Sequence, residues 1–170
     1  MYFPMFVSLD KKKCIVIGGG KIAARRVRTL LDFCNDITVI APRVCPEMEE
    51  LIKEEKVCYC CRNYQQGDGK DAFLVVAATN NRMVNRQAGE EAKHVGAFVS
   101  VADCKEECNF FFPGVATQKE SGAVIGVCAS GKNHSLAKKL TKQCRALIDG
   151  TASSSESRGN MSANDMSHGK

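Results

Sequence analysis

The sequence predicts an α/β fold, a Rossmann-type doubly wound parallel sheet followed by a small α+β unit. Three observations carry this. The apolar run Cys14-Ile15-Val16-Ile17 ends in Gly18-Gly19-Gly20. Strand-like and helix-like segments alternate from there to Asp103. The run Ala72 to Ala78 is apolar throughout, as expected of a central parallel strand covered on both faces.

The elements follow in order. Cys14 to Ile17 reads as a buried strand. Ala23, Val27, Leu30, Leu31 and Cys34 recur at helical spacing, and Asn35 suits a left-handed turn that ends that helix. Ile37 to Ala41 is a second, β-branched strand. Pro46 opens a helix whose first turn carries Glu47, Glu49 and Glu50. Val57 to Cys61 is a third strand, and a loop through Gly67 and Gly69 leads to the apolar run from Ala72 to Ala78. Thr79, Asn80 and Asn81 offer caps for a helix with Val84, Ala88, Ala92 and Val95 on one stripe, closed by Gly96. Phe98 to Ala102 is the next strand, ending at Asp103. Beyond it, Asn109 to Pro113 and Gly122 to Val127 read as two more strands around the turn Lys119-Glu120-Ser121. A basic helix with Leu136, Leu140, Cys144 and Leu147 on one side follows. From Thr151 the composition turns polar, as in a disordered tail. The expected organisation is a dinucleotide-binding domain over 1–104, a dimerisation and substrate unit over 105–149, and a tail over 150–170.

Composition narrows the function classes. Of 170 residues, 44% are hydrophobic and 25% charged, a soluble globular balance. No run of eighteen apolar residues and no signal-peptide pattern is present, so a cytoplasmic protein away from the membrane is expected. The ten cysteines mostly sit in apolar runs (Cys14, Cys34, Cys58, Cys60, Cys128) and are read as reduced structural thiols. Cys104 and Cys108 lack partners at zinc spacing, so no metal site is expected. The net charge of +5 is modest. The basic clusters at Lys11–Lys13 and around Lys138 carry no interleaved aromatics, which excludes nucleic acid as the expected partner and leaves an anionic small molecule.

Gly18-x-Gly20-x-x-Ala23 fits the dinucleotide fingerprint. The chain must turn sharply, the backbone must approach a pyrophosphate, and the helix N-terminus presents N–H groups and a positive dipole end to it. The acidic residue that usually grips the ribose roughly twenty residues on is missing. The second strand ends instead at Ala41-Pro42-Arg43. Arg43 is either an exposed loop cation or a group facing a 2′-phosphate, so these residues alone leave NAD and NADP open. Asp103 lies on the strand edge where open α/β sheets bind ligands. It reads as a turn or cap aspartate, or as a base taking a proton while hydride leaves, and position alone favours the cap. Thr79 on the same edge contacts cofactor or caps the next helix. His94 and His134 read as surface residues.

At these residues the chain resembles the precorrin-2 dehydrogenase family, the dehydrogenase and ferrochelatase part of siroheme synthases. The resemblance runs from Tyr2 to about Ile148. It rests on Tyr2-Phe3-Pro4-Met5-Phe6, Val16 to Arg26, Val39-Ile40-Ala41-Pro42, Ala77 to Asn81 followed by Val84-Asn85, Val101-Ala102-Asp103, Asn109 to Pro113, and Ser130-Gly131-Lys132 before Leu136-Ala137. It implies NAD-dependent oxidation of precorrin-2 to sirohydrochlorin, on the way to siroheme or cobalamin. In many members it also implies insertion of ferrous iron as a co-substrate. By resemblance the cofactor contacts are Gly18, Gly19, Gly20, Lys21, Ile22, Pro42, Arg43 and Thr79, with NAD as cofactor because the family commonly lacks the acidic ribose residue. The family's essential aspartate maps onto Asp103. Lys132, His134 and Lys138 are then charges for the polycarboxylate substrate, and the small unit resembles the family's dimerisation region, which implies a homodimer. Two departures stand out. Longer members continue into a helical C-terminal region where this chain has a polar tail, which leaves iron insertion open. Asn133-His134 also replaces a frequent Ser-Pro. The competing readings are a non-catalytic nucleotide-sensing Rossmann regulatory module, which would usually keep the acidic ribose residue, and a metal- or tetrapyrrole-handling protein built on the cysteines.

Overall fold

The computed structural model describes residues 3–130 and 133–159, the last nine as backbone only. The chain divides into two compact units, one spanning Met5–Phe112 and the other running from Pro113 onward together with the N-terminal residues through Pro4.

The larger unit is built on five parallel strands: β1 (Cys14–Ile17), β2 (Ile37–Ile40), β3 (Cys58–Cys60), β4 (Leu74–Ala77) and β5 (Phe98–Val101). Their order in the sheet is β3-β2-β1-β4-β5. The order reverses between β1 and β4, which pair in register from Cys14 with Leu74 to Ile17 with Ala77. That reversal opens a crevice at the carboxyl ends of the two strands. Side chains alternate across the sheet. Cys14, Val16, Val39 and Val76 pack with α1 (Lys21–Leu30) and α2 (Pro46–Lys53), whereas Ile15, Ile17, Val75 and Val99 pack with Ala88 and Ala92 of α3 (Arg82–His94). Each face thus has its own apolar core, as the doubly wound expectation requires.

Three local expectations are corrected. α1 ends at Leu30 in right-handed conformation, with Leu31 at φ −60°, and the amides of Phe33 and Cys34 both return to the Leu30 carbonyl. Asn35 therefore supplies no left-handed stop. Second, strand and helix do not alternate throughout. The β3–β4 crossover carries no helix and is held by side chains. Glu91 of α3 accepts from the Tyr64 hydroxyl (2.6 Å) and from the amides of Gly67 (2.9 Å) and Gly69 (3.1 Å). Inside the loop, Arg62 makes two 2.8 Å bonds to Asp68. Third, Asn109 to Pro113 is not a strand. Asn109 covers the free edge of β5 with its side chain, accepting from Val99 N–H (2.6 Å) and donating to the Ala97 carbonyl (2.9 Å). Phe110 and Phe112 turn into the larger unit, where Phe110 meets Phe98 edge-on and Arg26 lies 4.3 Å from the centre of the Phe112 ring. This segment closes the larger unit, so the unit runs to Phe112 rather than to Cys104.

The smaller unit is an antiparallel hairpin, β6 (Gly114–Gln118) and β7 (Ala123–Val127), with α4 (His134–Gly159). Arg145 donates twice to the Val115 carbonyl, and Gln118 donates to the Ile148 carbonyl. The face of α4 that packs is also not the expected one. Thr141 and Ile148 are buried, while Leu136, Leu140 and Leu147 stay exposed. α4 continues past Thr151, where the composition turns polar. Its backbone stays helical to Gly159. Residues 160–170 of the expected tail lie outside the described residues. All ten cysteines are free thiols. Cys14 and Cys34 are buried, but Cys58 and Cys128 are exposed although they sit in apolar runs. Among the described residues no helix is long and apolar enough to cross a membrane.

Candidate active site

The three glycines after β1 do different work. Gly18 has φ +119°, and a Cβ there would lie 2.3 Å from the Ala78 carbonyl oxygen. A Cβ on Gly19 would lie 2.3 Å from the Arg43 carbonyl oxygen. Both are buried, and both need glycine because neighbouring backbone comes close. Gly20 is exposed, and a Cβ there would meet nothing within 4 Å. It leads α1 with no side-chain cap and no acidic residue in the first turn. The helix thus starts on an open seat, with its first N–H groups facing it and the exposed Lys21 in its first turn, which fits a dinucleotide pyrophosphate in both space and charge. Ile22 is also exposed on this turn.

Backbone contacts bring the neighbouring loops to the same place. Cys45 N–H donates to the Gly19 carbonyl (2.8 Å), which draws the Pro42–Cys45 segment against the glycine turn. Pro42 and Arg43 are both exposed there, and no acidic residue occupies the end of β2. On the other side of β1, Gly18 lies against Ala78 and Thr79 at the end of β4. Gly18 to Ile22, Pro42, Arg43 and Thr79 therefore surround one crevice.

Asp103 follows β5 with its side chain 37% exposed. It is connected to that crevice by a residue the sequence reading did not single out as functional. Asn85, on the inner face of α3, is fully buried. Its Oδ1 accepts from Thr79 N–H (2.9 Å) and from the Thr79 hydroxyl (2.7 Å). Its Nδ2 donates to the Thr79 carbonyl (3.0 Å) and to Asp103 Oδ2 (2.9 Å). The signal was available: Asn85 is a polar residue on a stripe otherwise made of Ala88, Gly89 and Ala92. The expected cap of α3 is confined to Asn81, which accepts from the amides of Met83 and Val84. Arg82 was also missed. Its guanidinium pairs with Glu107 and lies 3.9 Å from Asp103 Oδ1. The hydrogen bond from Arg82 holds the Glu107 carboxyl below its usual range.

The other candidates fall elsewhere. His134 and Lys138 are exposed at the start of α4, in the smaller unit. Lys132 lies outside the described residues. Cys104 and Cys108 are turned inward: Cys108 Sγ accepts from Val101 N–H (3.2 Å) and donates to main-chain carbonyls.

Comparison with known proteins settles the family. Residues 5–114 match the model of a putative NAD(P)-binding family. The precorrin-2 dehydrogenase of Bacillus subtilis is 33% identical over 147 residues, covering 86% of this chain and 89% of that one. The chain belongs to the precorrin-2 dehydrogenase family. A solved family structure, that of SirC, a precorrin-2 dehydrogenase, superimposes with a TM-score of 0.68 at 25% identity over 86% of this chain and 70% of the other. Longer relatives share the same module. A probable multifunctional siroheme biosynthesis protein of Ruminiclostridium josui is 41% identical over 151 residues, and a siroheme synthase of Pseudoalteromonas translucida is 34% identical over 147. The chain spans 29% and 31% of these two proteins.

Proposed function

We propose that the chain catalyses the NAD-dependent dehydrogenation of precorrin-2 to sirohydrochlorin in siroheme biosynthesis. The observation that carries the reading is the placement of Asp103. An exposed carboxylate is tethered through Asn85 to Thr79, on the same sheet edge as a glycine turn whose third position is open. The names of the relatives point the same way.

The reaction removes a hydride and a proton from the substrate, and NAD supplies the hydride acceptor when bound. The glycine turn and the first turn of α1 seat its pyrophosphate. Arg43 and Pro42 border the ribose side, where no carboxylate selects for a free 2′-hydroxyl. Asp103 takes the proton as general base. Its Oδ2 already accepts from Asn85, so Oδ1 has the greater acceptor capacity left for that proton. The same reading assigns His134 and Lys138, with Lys132, to the substrate's carboxylates, and the cytoplasm as the setting in which ten thiols stay reduced. It includes a homodimer as well: Leu136, Leu140 and Leu147 form an exposed apolar face on α4 for a second copy to cover.

The test is to supply NAD to enzymatically generated precorrin-2. The absorption spectrum of sirohydrochlorin should develop, and it should fail to develop with a folded Asp103→Ala variant. Unchanged turnover in that variant removes Asp103 from the mechanism. Binding of NAD without consumption favours a nucleotide-sensing module instead. Ferrous iron enters only as a co-substrate of a following step, and an iron or cobalt insertion assay on purified sirohydrochlorin decides whether this chain performs it.

A further inference from the structure

We propose that Asn85 is a positioning residue for this reaction. It commits Oδ2 of Asp103, so that Oδ1 is the proton-accepting oxygen, and it fixes that aim to the backbone of Thr79. The inference rests on the reading of Asp103 as the base.

The hydrogen-bonding capacity of Asn85 is fully used. A carboxamide has two acceptor sites and two donor hydrogens. Thr79 N–H can only donate, so the atom facing it at 2.9 Å must be Oδ1. With that end fixed, the amide cannot flip, and Nδ2 has to point away, toward the Thr79 carbonyl and Asp103 Oδ2. A lone structural asparagine would need only backbone partners. This one spends a hydrogen on an exposed carboxylate, the group with least need of a buried donor. Oδ1 is left with Arg82 at 3.9 Å, beyond hydrogen-bonding distance. The consequence is coupling. Thr79 borders the dinucleotide crevice, so the oxygen that receives the proton is referenced through one side chain to the edge against which the hydride acceptor lies.

Two substitutions test this, each with a companion. Asn85→Ala removes the donor. Asn85→Asp keeps the volume and both bonds donated by Thr79 but sets an acceptor against Oδ2 and the Thr79 carbonyl. Each should lower kcat on the order of 10- to 100-fold, because a hydrogen bond to a charged group and the alignment of the base are both lost. The KM for precorrin-2 should stay within about twofold, so that the loss falls on kcat. In an Asp103→Ala background, Asn85→Ala should have no further effect on the residual rate, since its only route to catalysis is gone. Full additivity, or a wild-type kcat in folded Asn85 variants while Asp103→Ala is inactive, overturns the role of Asn85 alone. Wild-type turnover in Asp103→Ala overturns the base itself. Should the buried-site variants fail to fold, the side-chain amide proton of Asn85 in wild-type protein decides. Its NMR signal should move upfield in Asp103→Ala, and an unmoved signal refutes the contact.

Discussion

The glycine turn offers a way to separate folding from binding within three consecutive residues. Alanine at Gly18 would have to adopt φ +119° and would place its Cβ 2.3 Å from the Ala78 carbonyl oxygen. A forbidden backbone region alone costs about 1–3 kcal/mol. The contact is with main chain just after β4, which cannot swing aside as a flexible side chain would. The sum should exceed about 3 kcal/mol, a large part of the roughly 5–15 kcal/mol that holds a domain together. Alanine at Gly20 has φ −81° and ψ 178°, ordinary for any residue, and nothing within 4 Å. The lost cap preference and the gain from a stiffer unfolded chain offset each other, so stability should change by less than about 1 kcal/mol. On the proposed seating of the pyrophosphate its methyl stands in the way, and NAD affinity should fall at least about tenfold, equal to about 1.4 kcal/mol. The assay is urea denaturation of both variants beside NAD titration of the folded one. If Gly20→Ala binds NAD as wild type does, the dinucleotide does not rest on this turn. If it unfolds as readily as Gly18→Ala, the third glycine is structural too.

Two further outcomes concern the helix-free crossover. Glu91→Ala strands the Tyr64 hydroxyl and the amides of Gly67 and Gly69, so the larger unit should lose about 2–4 kcal/mol and limited proteolysis should cut within residues 61–73 first. Arg62 holds the Asp68 carboxyl below its ordinary value of 3.8. A carboxyl depressed in the folded state contributes stability that is present above the unfolded value and is lost as pH falls through the folded one. Acid should therefore weaken this loop below about pH 4, and Asp68→Asn should flatten that slope in urea melts taken between pH 5 and pH 2.

What the sequence shows and what it hides follows from the range of each interaction. The glycine turn, β1 and the apolar β4 were legible because their causes are local: a backbone that must bend, and strands buried on both faces. Pro46 at the start of α2 was legible for the same reason. Asn109 to Pro113 misled because aromatic residues favour strands. Here the edge of β5 is satisfied by the Asn109 side chain, and the rings serve the core. The packed side of α4 misled because leucines mark a core only when a partner covers them, and Thr141 packs so close to Gly114 that a Cβ on that glycine would lie 2.0 Å from its hydroxyl oxygen. Crevice residues were legible by motif and resemblance. Asn85 was not, since its partners lie 6 and 18 residues away and only the packing of α3 on β4 and β5 brings them together.

α3 is gripped at two points along its length, by Thr79 and Asp103 near its start and by the crossover loop at Glu91 near its end. Two polar grips on one rod fix its rotation about its own axis, which apolar side chains on a smooth sheet do only loosely. The loop over residues 62–69 therefore acts as a torsional brace for a side chain at the far end of the helix. Changes in that loop can detune the aim of Asp103 while leaving every crevice residue in place.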